Sequence, residues 1–174
     1  MKTTVPATTF IGVSIIVVSL LYITTIIKTV PCGTNITDIF LSNFIHTNIY
    51  HLAANMFALY SLSRVEVELD TKGFVGLIVF LLVLNTATEA VIHNIIPGIP
   101  CSVGFSGVLI GVTVWDMVAN KDFDWYLVSS VVAVVIAQTY NVENVSILGH
   151  IVGAISGAIG GWLWAKTKKK SIDG

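Results

Sequence analysis

Six stretches of the chain are nearly unbroken runs of apolar side chains, at about 8–29, 50–66, 73–96, 104–120, 125–140 and 145–166. A helix needs roughly 20 apolar residues to cross a bilayer. The pattern therefore predicts an all-α polytopic membrane protein, a six-transmembrane-helix bundle forming one domain over residues 1–174. The second, fourth and fifth runs are short, which predicts helix ends lying at membrane depth and shielded by neighbouring helices. A short polar stretch with Lys2 precedes the first run, and Lys28 and Pro31 mark its end, so no cleavable signal peptide is expected.

Composition narrows the class further. Of 174 residues, 55% are hydrophobic and 11% charged, against roughly 25% charged in a soluble domain. Mean hydropathy is +0.86. This excludes a disordered chain, a coiled coil and a nucleic-acid binder, which would need a basic face. Net charge is −1, and the two cysteines, Cys32 and Cys101, are too few for a disulfide scaffold and lack metal-ligand spacing. No metal or cofactor is expected.

Orientation follows from the cations. With the N-terminus inside, Lys2, Arg64, Lys72, Lys121, Lys166, Lys168, Lys169 and Lys170 all face the cytoplasm, and only Lys28 lies outside. Trp115, Trp125, Trp162 and Trp164 fall at the same side, where indoles favour the interface. Both termini are thus expected in the cytoplasm. The segments at about 30–49, 97–103 and 141–144 then face outward, with Cys32 and Cys101 among them. Those cysteines could bridge only if their Cα atoms lie within about 7 Å, and two unrelated loop cysteines is the preferred reading. The lysine-rich end reads as a stop-transfer flank.

Polar groups inside apolar spans are expensive, so each asks for a partner or a function. His51 and Asn55 are four apart and share one face of the second span; alone, they read as packing hydrogen bonders. Gly104-Phe105-Ser106-Gly107 opens the fourth span, where glycines permit a tight turn and a helix start can hold a developing oxyanion. Alone, that fragment reads as a glycine-rich helix start. His150 changes the balance. It sits beside a ridge of Gly149, Gly153, Gly157 and Gly161, and the fourth span carries Gly107 and Gly111 at the same spacing. Such ridges let helices approach closely, close enough for a serine and a histidine base to meet. Glu89 and His93, also four apart, are expected to form one polar cluster, more simply structural than functional.

These residues resemble the rhomboid intramembrane serine proteases. His46-Thr-Asn-Ile-Tyr-His51-Leu-Ala-Ala-Asn55 is similar to the family's H-x(4)-H-x(3)-N signature, Gly104-Phe105-Ser106-Gly107 to its G-x-S-G motif, and Gly149-His150-Ile-Val-Gly153 to its A-H-x-x-G, with Gly149 in the alanine position. The resemblance implies Ser106 as nucleophile and His150 as general base and acid, a dyad without an aspartate. It implies an oxyanion and substrate-binding set of His51, Asn55, Gly104 and Phe105 with nearby backbone N–H groups, and His46 as a supporting first-loop residue. Substrates would be transmembrane segments of other proteins, with small residues near the scissile bond and locally unstable helices, cut near the outer leaflet of what is expected to be a prokaryotic cell membrane. The family's first-loop Trp-Arg pair falls near Thr37-Asp38 and is absent. Ser63 replaces the glycine ending helix two, and Glu66 or Glu68 reads as out of register with the glutamate there.

Two rivals belong to other classes. A catalytically inactive rhomboid-like or derlin-like protein would bind and route client membrane proteins; loss of Ser106 or His150 would favour it, and both are present. A small transporter would route ions through Glu89, His93 and Asp116, which lie at different depths on two spans.

Overall fold

The computed structural model describes residues 4–28, 35–100, 102–121, 123–139 and 147–172. Cys32, Cys101 and the 141–144 turn lie outside them. The described residues form seven helices: α1 (Pro6–Ile23), α2 (Ile36–Ser42), α3 (Ile49–Ser61), α4 (Ser63–Ile95), α5 (Ser106–Asn120), α6 (Trp125–Thr139) and α7 (Leu148–Ile172). The apolar runs thus map onto helices, with differences at their ends. α1 stops at Ile23, six residues before the expected end, and the polar segment ahead of α3 folds into the additional short helix α2. By length and composition α1, α4 and residues Leu148–Lys168 of α7 are long and apolar enough to cross a membrane, while α5 is a shorter apolar helix.

Local chemistry sets the boundaries. Pro6 occupies the first turn of α1, where its missing N–H costs nothing. Asn35 and Asn48 cap α2 and α3 by accepting the N–H groups of Asp38 and His51. α4 changes direction at Asp70, whose backbone (φ 62°, ψ 168°) is far from helical. There the Asp70 carboxylate accepts the Gly73 N–H at 2.9 Å and restarts the helix.

α1 has no side-chain cap of its own. Its cap comes from α4 instead: Glu66, 1% exposed, accepts the N–H groups of Ala7 at 2.9 Å and Thr8 at 2.8 Å, and the Thr71 hydroxyl at 2.9 Å. By sequence Glu66 is out of register with the family's glutamate; in the fold it links α1 to the bend of α4.

Polarity is arranged inside-in. Ser19, His46, His51, Asn55, Asn85, Glu89, Ser106 and Asp116 are buried, while Val75, Val79 and Val83 on α4 and Ile151, Ile155 and Ile159 on α7 are exposed. An apolar exterior over a partly polar interior is what a lipid-facing bundle requires. α5 sits centrally with α7 packed along it, α4 flanking both, and α3 between α1 and α6. Phe74, Leu81, Phe105, Val108, Leu109, Val112 and Trp115 fill the shared core. Trp115 is therefore a core residue, its ring tilted against that of Trp164 at 5.8 Å. It is no lipid anchor, and the interface argument for orientation rests on the exposed Trp125, Trp162 and Trp164.

The α5–α7 contact rests on glycine alone. A Cβ on Gly153 would stand 2.0 Å from the Gly107 carbonyl oxygen, and one on Gly157 2.1 Å from that of Gly111. No other residue type permits backbones this close.

Candidate active site

The glycine mesh fixes the register of two helix starts. Gly107 lies against the Gly149 carbonyl, so their chain neighbours Ser106 and His150 meet in the first turns of α5 and α7. Ser106 Oγ stands 2.9 Å from His150 Nε2, within the hydrogen-bond reach expected of a nucleophile and its base. Ser106 is 3% exposed.

The turn leading to Ser106 is held from three sides. Gly104 takes φ +99°, and a Cβ there would stand 2.6 Å from the His51 ring, so both conformation and space demand glycine. Its N–H donates to the Ser42 carbonyl of α2 at 3.0 Å. The next amide, that of Phe105, donates to His46 Nε2 at 3.4 Å. Because Nε2 accepts, the neutral ring carries its proton on Nδ1, which faces Ser19 Oγ of α1 at 3.0 Å. His46 lies in the loop between α2 and α3. Burial, reinforced by neighbouring His51 and partly offset by the Asn55 side chain, pushes its pKa down to about 3. It therefore stays a neutral connector from α1 to the Ser106 turn.

His51 and Asn55 lie buried on one face of α3, with the His51 ring against Gly104 of the Ser106 turn. Their rings and amides interlock: His46 and His51 pack edge to face at 4.6 Å, and Asn55 Nδ2 donates to the His51 carbonyl at 2.9 Å. The first intrahelical amide bond of α5 is Leu109 N–H to Phe105 O, so the amides before it point toward the helix end beside Ser106. Phe105's amide is engaged by His46, which leaves that residue's contribution to its position in the turn.

A second polar group lies behind the dyad. Glu89 of α4 is buried and pairs with Ser102, its Oε1 lying where a Cβ on Gly149 would approach it to 3.0 Å. The neighbouring Asn85 amide is 2% exposed and has no hydrogen-bond partner at Oδ1 or Nδ2 among the described residues. The expected Glu89–His93 cluster does not form among the described residues: Glu89 turns inward to Ser102, whereas His93 lies in the last turn of α4. Asp116 is used structurally, bonded by Arg64 at 2.5 Å and by Asn120 at 2.9 Å, with Arg64 also 3.0 Å from Asp124. That engagement removes Asp116 from any ion path. Asn85 escaped the sequence reading because an asparagine within an apolar run carries no spacing signal; Ser19 escaped for the same reason.

A helical membrane protein carrying a serine–histidine pair at two abutting helix starts is the class these observations define. The chain belongs to the rhomboid family: the rhomboid domain matches residues 33–167. It is 30% identical over 128 residues to a rhomboid protein of Acanthamoeba polyphaga mimivirus, covering 73% of this chain and 74% of that one. It is also 24% identical over 152 residues to the chloroplastic rhomboid-like protein 11 of Arabidopsis thaliana, covering 76% of this chain and spanning about half, 54%, of that relative's length. No solved structure gives a significant match.

Proposed function

We propose that the chain is an intramembrane serine endopeptidase that hydrolyses peptide bonds in or near transmembrane segments of other membrane proteins. The observation that carries this reading is the 2.9 Å contact between Ser106 Oγ and His150 Nε2 at the meeting of two helix starts. In the proposed reaction His150 Nε2 takes the Ser106 proton as Oγ attacks the scissile carbonyl carbon. The carbonyl oxygen becomes an oxyanion, met by the amides beside Ser106 and by the His51 and Asn55 side chains. Preorganised donors in a dry site supply several kcal/mol of such stabilisation. His150 then gives its proton to the leaving amine, and Ser106 is left as an acyl ester. Water, deprotonated by His150, attacks that ester, releases the carboxylic acid and restores the serine.

The reading extends to a substrate whose helix unwinds locally, because a peptide bond within a helix has its N–H and C=O already paired. Gly104 and Phe105 would border the bound segment, and His46 would position the turn. The cation distribution supports placing both termini in the cytoplasm and the dyad toward the outer leaflet.

The test is cleavage of a reporter transmembrane substrate in proteoliposomes. Ser106→Ala should abolish turnover. Asn55→Ala should lower kcat by about 10²–10³ while moving KM little, the cost of one oxyanion donor. Full kcat in Asn55→Ala with lost thermal stability would make Asn55 a packing residue.

A further inference from the structure

A trough of about 390 Å³ opens on the outer surface between α4 and α7, far along both helices from the dyad. Gly76, Leu77 and Phe80 of α4 form one wall, Gly160 and Leu163 of α7 the other, and Trp115 of α5 the floor. Packing explains Gly160, whose Cβ would stand 3.0 Å from the Phe80 ring. It does not explain Gly76, where a Cβ would meet nothing within 4 Å. The space beside Gly76 is thus kept open toward the surroundings of the bundle. In a membrane those surroundings are acyl chains.

One end of the trough is cationic. Lys72 stands four residues before Gly76, one helical turn away on the arm of α4 that lines the trough. Lys168 continues the Gly160–Trp164 stripe of α7 by one further turn, with its Nζ 5.9 Å from the Trp164 ring. Lys166 lies at the same end, its Nζ 3.6 Å over the Trp162 ring. Both Lys72 and Lys168 are exposed. The acids at this end are turned to other donors, Asp70 to the Gly73 N–H at 2.9 Å and Glu68 to Asn120 Nδ2 at 3.3 Å.

We propose that this trough is a binding site for one anionic phospholipid of the leaflet at the lysine end, with an acyl chain beside Gly76 and the headgroup phosphate between Lys72 and Lys168. Apolar walls select a hydrocarbon chain over a soluble ligand, and the two ammonium groups select an anionic headgroup over a zwitterionic one. Two lysines beside the headgroup at a membrane surface should favour anionic lipid by roughly tenfold or more.

The test uses the full chain purified in detergent, with lipid retention read by native mass spectrometry and by the shift in melting temperature. The probes are phosphatidylglycerol, phosphatidylcholine and soluble glycerol phosphate. The wild type should bind one phosphatidylglycerol at least tenfold more tightly than phosphatidylcholine, and glycerol phosphate should shift nothing. Gly76→Leu, whose Cβ enters open space, should lose both lipids while keeping or slightly raising its lipid-free melting temperature. The double variant Lys72→Gln/Lys168→Gln should still take up lipid but lose the preference. Equal binding of the two lipids to the wild type, undiminished phosphatidylglycerol binding to Gly76→Leu, or a shift with glycerol phosphate alone would each overturn the assignment. None of these readouts depends on proteolysis.

Discussion

Replacing Gly153 with alanine should inactivate the protein far more than it unfolds it. The added Cβ would stand 2.0 Å from the Gly107 carbonyl oxygen, whereas ordinary contact begins near 3.4 Å. The two helices must therefore part by about 1.4 Å at this level, since the obstacle is backbone and cannot rotate away. Gly107 is the residue after Ser106, and Gly153 lies one turn beyond His150. The parting opens directly under the dyad and carries the 2.9 Å Ser106–His150 contact past hydrogen-bond reach. A misplacement of about 1 Å costs about 10² in rate. Stability changes less: overpacking costs about 1–3 kcal/mol, and removing a helical glycine returns about 1 kcal/mol. The assay is cleavage of a reporter transmembrane substrate, with a melting curve for each variant. Gly76→Ala is the control, because its Cβ enters open space while its helix gains the same propensity; it should keep full activity and melt slightly higher. Wild-type kcat in Gly153→Ala would refute the claim that the glycine mesh sets the dyad.

Other positions give independent checks. Glu66→Ala removes two hydrogen bonds that cap α1 and a third to Thr71 at the bend of α4; at about 1 kcal/mol or more each, stability should fall by roughly 3 kcal/mol in denaturant titration, with kcat retained in the folded fraction. Asp70→Gly relieves a backbone conformation that costs a non-glycine residue about 1–3 kcal/mol, so it should raise the melting temperature even though the cap on Gly73 is lost. His46 makes stability pH-dependent. Its folded pKa is lowered to about 3 from 6.5, so the unfolded chain binds a proton that the folded chain refuses. The His46 contribution to stability should fall as pH drops from about 6.5 toward 3, by at most about 1.4 kcal/mol per unit, and His46→Gln should flatten the overall slope by one proton.

Much of the fold was legible because membrane burial leaves a coarse signature. Apolar runs mapped onto α1, α3, the long arm of α4, α5, α6 and α7, and the paired glycine ridges foretold the contact that joins Ser106 to His150. What escaped was chemistry between distant segments. Nothing in the local sequence says that Glu66 caps a helix some 58 residues earlier, or that Ser19 reaches His46. The bend at Asp70 was hidden because an aspartate there gives no glycine signal. The Glu89–His93 pairing failed on a different ground: helical spacing permits a contact, but burial turned Glu89 to Ser102. Trp115 failed likewise, since its position near a helix end suited either lipid or core, and packing against Trp164 decided for the core.

The central claim is that Ser106 is a nucleophile activated by His150. Labelling of the detergent-solubilised chain with a fluorophosphonate, read by mass on the peptide containing Ser106, tests it most directly. The account predicts one covalent adduct on Ser106, absent in Ser106→Ala and strongly slowed in His150→Ala, where the base is gone but the helix starts remain. A folded wild type that takes up no label, or takes it up at another residue, would contradict it.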